Sequence, residues 1–280
     1  MTLAEVLRGA TDYLAARGVE HPRLDAERLL SRALGLTRME LYTQHDRPLT
    51  EEERSSAREL VQRRGRREPL AYVLGDWGFR RLTLATDARA LVPRPETEIV
   101  VERCLALLDG VDSPRVVDVG TGTGAIALAL KHERPDARVT ATDISAAALD
   151  LARANAAQLE LEVELIETDL LTGLTGPFDL VVSNPPYVLA GELPELEPEV
   201  REWEPELALL EAGQTAALAE AARGVLDGWL VLEVHDRLAG ETVERLEALG
   251  FADVTIGLDL GGLERVVEAR WEQTTPSGEQ

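Results

Sequence analysis

The chain has 280 residues, 45% hydrophobic and 29% charged, a balance ordinary for a water-soluble globular protein of one large or two modest domains. Its single cysteine, Cys104, rules out an intrachain disulfide and a cysteine-rich zinc site. No apolar run approaches the roughly 18 residues of a membrane span, and no basic-then-apolar leader opens the chain, so neither an anchor nor a secretory signal is expected. Cys104 is expected as a buried small hydrophobe, and the compartment as the cytoplasm.

The first seventy-odd residues read as helices. Thr2-Leu-Ala-Glu5 is a capping box, followed at helical spacing by Leu3, Val6, Leu7, Ala10 and Leu14. Pro22 opens a second helix and Gly35 stops it. Thr37-Arg-Met-Glu40 and Thr50-Glu-Glu-Glu53 are two further capping boxes. One apolar face per helix predicts a small bundle over residues 1–75. The basic run Arg63-Arg-Gly-Arg-Arg67 reads either as a solvated helix end or as a partner-binding patch. Residues 76–95 form a connector, in which Leu82, Leu84, Leu91 and Val92 are strand-like and Asp87 marks a turn, predicting a hairpin. Pro93 and Pro95 are expected to hold the chain extended.

From residue 96 to about 275 strands and helices alternate. Apolar runs at 115–119, 138–142, 163–166, 178–182 and 229–234 are separated by helical stretches at 124–133, 146–157 and 214–226. Such alternation predicts an α/β fold with a parallel sheet covered on both faces. Two last strands, 251–258 and 264–270, flank Asp259-Leu-Gly-Gly262 as an antiparallel hairpin, which brings the sheet to seven strands. The tail after Trp271 is polar and expected to fray.

Charge is unevenly placed. Up to Gly75 there are 13 basic and 12 acidic residues; the remainder holds 16 and 39. A duplex-DNA binder needs cations that displace counterions from phosphates, so the second region is a poor candidate for direct nucleic-acid binding.

The chemistry concentrates in four places. Val116-Val-Asp-Val-Gly120-Thr-Gly122-Thr-Gly124 is a strand running into a glycine-rich turn at a helix start, where Gly120, Thr121, Gly122, Thr123 and Gly124 let a ligand approach the backbone. Asp143 ends the next strand, where a carboxylate can accept both hydroxyls of a ribose; this suits NAD as well as S-adenosylmethionine. Asp118 lies inside the strand before the turn, with no backbone requirement for it, and could face an ammonium group directly or through water. Asp169 ends the third strand and could approach an adenine, with Leu170 packing on the ring. The fourth place is Ser183-Asn-Pro-Pro-Tyr-Val188, at the carboxyl end of the fourth strand. An asparagine amide can hold the amino edge of a planar group by a paired contact. Pro186 interrupts the ladder and frees the Pro185 carbonyl to accept from the same NH2, while Tyr187 offers a face for stacking. By itself the motif specifies only a planar NH2 group.

Asn-Pro-Pro-Tyr after such a turn resembles S-adenosylmethionine-dependent methyltransferases that modify planar nitrogens. The rest of the chain is similar to one branch, the HemK/PrmC protein-(glutamine-N5) methyltransferases. The matching pieces are Glu68-Pro-Leu-Ala-Tyr-Val-Leu-Gly75, Val92-Pro-Arg-Pro-Glu-Thr-Glu98, Asp118 to Leu128, Val182 to Tyr187, Trp203-Glu-Pro205 and Glu264-Arg-Val266. Leu170 stands where some relatives carry an aromatic residue, and Glu233-Val-His-Asp236 lacks the glycine- and glutamine-containing string that often follows that strand.

The resemblance implies a Rossmann-like domain joined by a hairpin to a helical bundle that docks the substrate. It implies S-adenosylmethionine as cofactor, leaving as S-adenosylhomocysteine, no metal, and class-1 peptide chain release factors as partners of a monomer. The target is then the glutamine of a Gly-Gly-Gln loop. Asn184 and Pro185 would bind its amide, Pro186 and Tyr187 would complete the substrate site, and Asn184 would also touch the cofactor. A nucleic-acid adenine-N6 methyltransferase is the rival, since the same motif could hold a flipped adenine.

Overall fold

A computed structural model describes residues 1–273 of the chain. Residues 274–280, most of the expected polar tail, lie outside that description. Two compact units emerge, one of residues 1–76 with 196–203, the other of residues 77–195 with 204 onward.

The first unit is helical: α1 (Leu3–Ala16), α2 (Pro22–Leu34), α3 (Arg38–Thr43), α4 (Glu51–Gly65) and α5 (Leu70–Leu74). Thr2, Thr37 and Thr50 each accept the amide of a glutamate three residues on, whose carboxylate takes the cap's own N–H. Each such cap stabilises its helix by about 1 kcal/mol. The apolar stripes meet in a core that includes Leu3, Leu7, Leu14, Leu29, Leu30 and Leu41. The basic run at the end of α4 is mostly engaged in ion pairs within this unit and is not a solvated helix end. Arg63 pairs with Glu68. Buried Arg64 reaches Asp25 and Glu199, each at 2.7 Å. Arg67 reaches Glu199 at 2.5 Å and Glu197 at 2.7 Å. Two of these partners come from a segment some 130 residues away in sequence, which pattern reading could not bring near.

The second unit opens with a two-stranded hairpin, β1 (Asp76–Phe79) and β2 (Leu82–Ala85). The hairpin turns at Arg80-Arg81, because Phe79, Leu82 and Leu84 all drive into the core; Asp87 does mark a turn, its carbonyl accepting from Ala90 N at 3.3 Å, but after the hairpin. Leu91 and Val92 form no strand. Pro95 is not extended; it is the first residue of α6 (Pro95–Leu107), where its missing N–H costs nothing.

There follow β3 (Arg115–Val119), α7 (Ala125–Glu133), β4 (Arg138–Asp143), α8 (Ala146–Leu159), β5 (Glu164–Glu167) and β6 (Phe178–Ser183). After the short α9 (Pro198–Arg201), which belongs to the helical unit, come α10 (Gln214–Ala222), β7 (Leu226–Glu233), α11 (Asp236–Leu249), β8 (Ala252–Leu258) and β9 (Glu264–Trp271). The seven-stranded sheet has the order β5-β4-β3-β6-β7-β9-β8. It is parallel except around β9, which runs antiparallel to both neighbours. This is a Rossmann-like methyltransferase architecture. β7 begins three residues before the predicted strand, with Asp227-Gly228 absorbed in a bulge opposite β6. A Cβ on Gly228 would lie 2.1 Å from the Asp179 carbonyl, so only glycine fits there.

Because side chains alternate along a strand, successive residues serve opposite layers. Val116, Leu180, Val182, Val231 and Val266 pack with α6 and α7. Val117, Val181, Leu230, Leu232 and Val267 pack with α10 and α11. Cys104 lies in the first layer, fully buried, and burial pushes its thiol well above the usual range.

Asn155 of α8 ties the hairpin to the glycine turn. Its Oδ1 accepts from Ala85 N at 2.7 Å, and its Nδ2 donates to the carbonyls of Ala85 at 3.1 Å and Thr123 at 2.9 Å. Asn155→Leu conserves volume but leaves these backbone groups unpartnered. Urea unfolding is expected to show a loss of about 2–4 kcal/mol; an unchanged midpoint would refute this role.

Candidate active site

The chain crosses the sheet in two directions from its middle. From β3 it winds outward through β4 and β5, and from β6 outward through β7. Such a reversal leaves a crevice at the carboxyl ends of the two central strands. Val119 pairs with Ser183, so Gly120 and Asn184 leave the sheet side by side. Ser183 Oγ closes this end by donating to the Val119 carbonyl at 2.7 Å.

A cavity of about 340 Å³ occupies the crevice. Gly120 to Thr123, Asp143, Asp169, Leu170, Asn184, Pro185 and Pro186 line it, together with Arg94, Thr97, Leu207 and others. Of the residues singled out in sequence, Asp118, Gly124 and Tyr187 do not.

The turn after β3 is held from several sides. Gly120 N and Thr121 N both donate to the Thr142 carbonyl, at 2.8 and 2.9 Å. Gly120, Gly122 and Gly124 have φ of 72°, 57° and 84°, the left-handed region. Gly124 caps α7 from there and leaves room for Ala152 of α8, 3.3 Å from where its Cβ would be. Fully buried Asp118 organises this turn: its Oδ2 accepts from Thr121 Oγ1 at 2.6 Å and from Ala127 N at 3.1 Å. Its Oδ1 has no partner among the described residues. Burial raises the carboxyl to about 7.

Asp143 accepts from Gly122 N and Ser145 N, both at 2.9 Å, one on each oxygen. Each oxygen keeps acceptor capacity toward the cavity. Ser145, not Asp143, caps α8. Leu170 sits at φ 51°, and its carbonyl accepts from Thr142 Oγ1 at 3.0 Å. This acidic, glycine-backed and partly apolar crevice fits a nucleoside, with hydroxyl acceptors at Asp143 and apolar surface at Leu170. Its volume is in the range of small-molecule sites.

Around Asn184 the structure adds residues that the sequence reading missed. Asn184 Nδ2 donates to Thr97 Oγ1 of α6 at 3.2 Å. Thr97 in turn stands near Glu233 at the end of β7 and favours its ionised form. Arg94 pairs with buried Glu204 at 2.6 Å, joining Val92–Glu98 to Trp203-Glu-Pro205. Tyr187 lines a neighbouring cavity of about 250 Å³ with Glu233, its ring 5.9 Å from that of His235. Burial, with Glu233 adding to it, pushes the Tyr187 phenol up to about 12. Among the described residues no group of three or more His, Cys, Asp or Glu could hold a metal ion, and no helix is long and apolar enough to cross a membrane.

The chain matches two family models, the PrmC N-terminal domain over residues 5–75 and the methyltransferase small domain over residues 97–195. It is 44% identical to a release factor glutamine methyltransferase of Deinococcus radiodurans, covering 96% of this chain and 99% of that one. It is 40% identical to one of Chlorobaculum tepidum, covering 94% and 95%. A T. thermophilus 16S rRNA N2 G1207 methyltransferase, solved with AdoMet and guanosine, superposes with a TM-score of 0.54 over 71% of this chain and 50% of that one. At 18% identity it shows a shared fold.

Asp118 generates a pH prediction. Unfolded, it ionises near 3.8; folded, near 7. Between those values the folded state holds the extra proton, so this group's contribution to stability falls as pH rises and is lost above about 7. Without ligand, Asp118→Asn is expected to gain on the parent by on the order of 2–4 kcal/mol between pH 4 and pH 8. Parallel pH dependences of the two proteins would contradict this.

Proposed function

Since the chain belongs to the release factor glutamine methyltransferase family, we propose that it methylates the side-chain amide nitrogen of the glutamine in the Gly-Gly-Gln loop of class-1 peptide chain release factors. The observation that carries this reading is the emergence of Asn184 and Pro185 beside the glycine turn, in one cavity with Asp143. Bound S-adenosylmethionine supplies a methyl group whose bond to the sulfonium breaks as the bond to nitrogen forms.

The residues proposed to hold it are Gly120 to Gly124 against the chain of the methionine, Asp143 at the ribose, and Asp169 with Leu170 at the adenine. Asp118, which faces the turn, acts on the ammonium through water at its free oxygen, and Asn184 stands between cofactor and substrate. On the substrate side, the Asn184 amide binds the glutamine amide edge, and the Pro185 carbonyl accepts from its NH2. Pro186 supplies the surface against which the amide plane packs; Tyr187 lines the neighbouring cavity instead. An amide nitrogen is a weak nucleophile because its lone pair is shared with the carbonyl. Positive charge grows on it as the new bond forms, so an acceptor fixed at Pro185 binds the transition state more tightly than the ground state. The methylated nitrogen is acidic enough to release its proton to water.

The helical domain, residues 1–75, and the connector, 76–95, are proposed to dock the release factor, and residues 96–275 to carry the reaction, in a cytoplasmic monomer. The excess of acidic residues after Gly75 argues against nucleic acid as substrate.

Transfer of tritiated methyl groups tests the reading with three acceptors: release factor, a release factor whose loop glutamine is alanine, and DNA. Label is expected on the first alone; label on DNA alone would sink it. Asn184→Ala is expected to lower turnover on the order of a hundredfold while cofactor affinity changes far less. Asp143→Ala is expected to weaken S-adenosylmethionine binding by about 10- to 100-fold in calorimetry, the loss of charge-assisted hydrogen bonds.

A further inference from the structure

On the reading that Asn184 holds the glutamine amide, we propose that Thr97 and Glu233 are positioning residues that fix which end of the Asn184 amide faces the substrate. The placement comes from strand register. Ser183 pairs with Leu232 in the parallel β6–β7 ladder, so the next residues, Asn184 and Glu233, stand at one level on adjacent strands. Alternation sends both toward the layer that contains α6. Thr97, in the first turn of α6 and 4% exposed, sits between them. Asn184 Nδ2 donates to Thr97 Oγ1 at 3.2 Å, and the Thr97 hydroxyl lies close enough to the Glu233 carboxylate to favour its ionised form. Glu233 is 2% exposed, and its Oε2 has no hydrogen-bond partner among the described residues.

A primary amide has two ends of nearly equal shape and opposite polarity. To hold a glutamine amide, Asn184 must offer Oδ1 to the substrate's NH2. A flipped Asn184 would set NH2 against NH2. The threonine hydroxyl alone cannot decide, since it can donate to Oδ1 or accept from Nδ2. An ionised carboxylate only accepts. It takes the Thr97 hydrogen, which leaves the hydroxyl to accept from Asn184 and turns Nδ2 toward Thr97 and Oδ1 away from it. A protonated Glu233 can donate instead and reverse the polarity of the whole chain.

Burial raises the Glu233 carboxyl to about 7. Glu96 at the start of α6 adds to the rise, while Arg265 of β9 and Arg94 oppose it. Tyr187 lines the same neighbouring cavity, and the ring of His235 faces Tyr187. Asn184 is then held in the productive orientation above about pH 7 and released from it below.

The experiment measures kcat, KM for release factor and S-adenosylmethionine affinity from pH 5.5 to 9 for the parent, Thr97→Val, Thr97→Ser, Glu233→Gln and His235→Asn, each checked for folding by its thermal transition. The parent's kcat is expected to rise with pH through about 7. Thr97→Val and Glu233→Gln should lower kcat about 10- to 100-fold with cofactor affinity little changed, while Thr97→Ser retains most activity. The rise near pH 7 should vanish in Glu233→Gln and persist in His235→Asn. A merely structural role would lower activity at every pH and leave that rise in place. Parental kcat in both Thr97→Val and Glu233→Gln, or a surviving rise in Glu233→Gln, overturns the proposal. Asn184→Ala separates the two levels. If it is inactive while Thr97→Val is fully active, only the positioning role fails; if it is fully active, the assignment of Asn184 fails and the positioning role with it.

Discussion

The parallel pairing of β3 with β6 is the constraint on which the rest depends. These strands are neighbours in space, yet 58 residues separate Val119 from the start of β6 in the chain, and their connections leave in opposite directions. Nothing covers their carboxyl ends from within the sheet. A glycine turn on one and a proline-terminated strand on the other therefore open into the same cavity. Each end is finished by a short hydrogen bond, Ser183 Oγ to the Val119 carbonyl and Gly120 N to the Thr142 carbonyl. The two halves of the site are thus set by ladder register more than by loop conformation.

A second regularity follows from strand alternation. Asp118, Glu233 and Glu268 are buried and lie on the sheet face that packs against α6 and α7, as does Asn184 by its register with Glu233. Buried polar groups are costly unless partnered, and these two helices supply partners. Ala127 N of α7 serves Asp118, Thr97 of α6 serves Asn184 and Glu233, and Arg103 of α6 forks onto Glu268. Under α10 and α11 the opposite face packs Val117, Val181, Leu230, Leu232 and Val267. The division explains why the piece Val92–Glu98 matters although it carries no obvious chemistry: it delivers the first turn of α6, and with it Thr97 and Arg94, to the site.

Much of this was legible beforehand. The three threonine capping boxes, the glycine turn, the strands at 115–119 and 178–182 and the closing hairpin are local signals, and local signals survive folding because they concern neighbours in sequence. The errors had one character. Leu82, Leu84, Leu91 and Val92 suggest a hairpin about the Asp87 turn, yet the burial of Phe79 and Leu84 puts the hairpin before it. The strand expected from Trp229 starts at Leu226, with Asp227-Gly228 absorbed in a bulge opposite β6. Arg63 to Arg67 looked like a charged end, and Arg64 and Arg67 instead meet Glu199, far along the chain. Glu233 could have been suspected, since a glutamate closing an aliphatic strand has no packing reason to be there.

The sequence alone determined the α/β class, the helical beginning, the glycine turn and the planar-amide motif, because each is written in the spacing of nearby residues. It also carried the family resemblance, which favours the glutamine of a release factor over the adenine of a nucleic acid as the proposed target. Only the tertiary structure decided that Asp118 faces the turn and not the cavity, that Tyr187 looks into a neighbouring space, and that Thr97 and Glu233 stand behind Asn184. Those facts depend on strand register and on which face of the sheet a helix covers, and both are settled by packing between residues far apart in the chain.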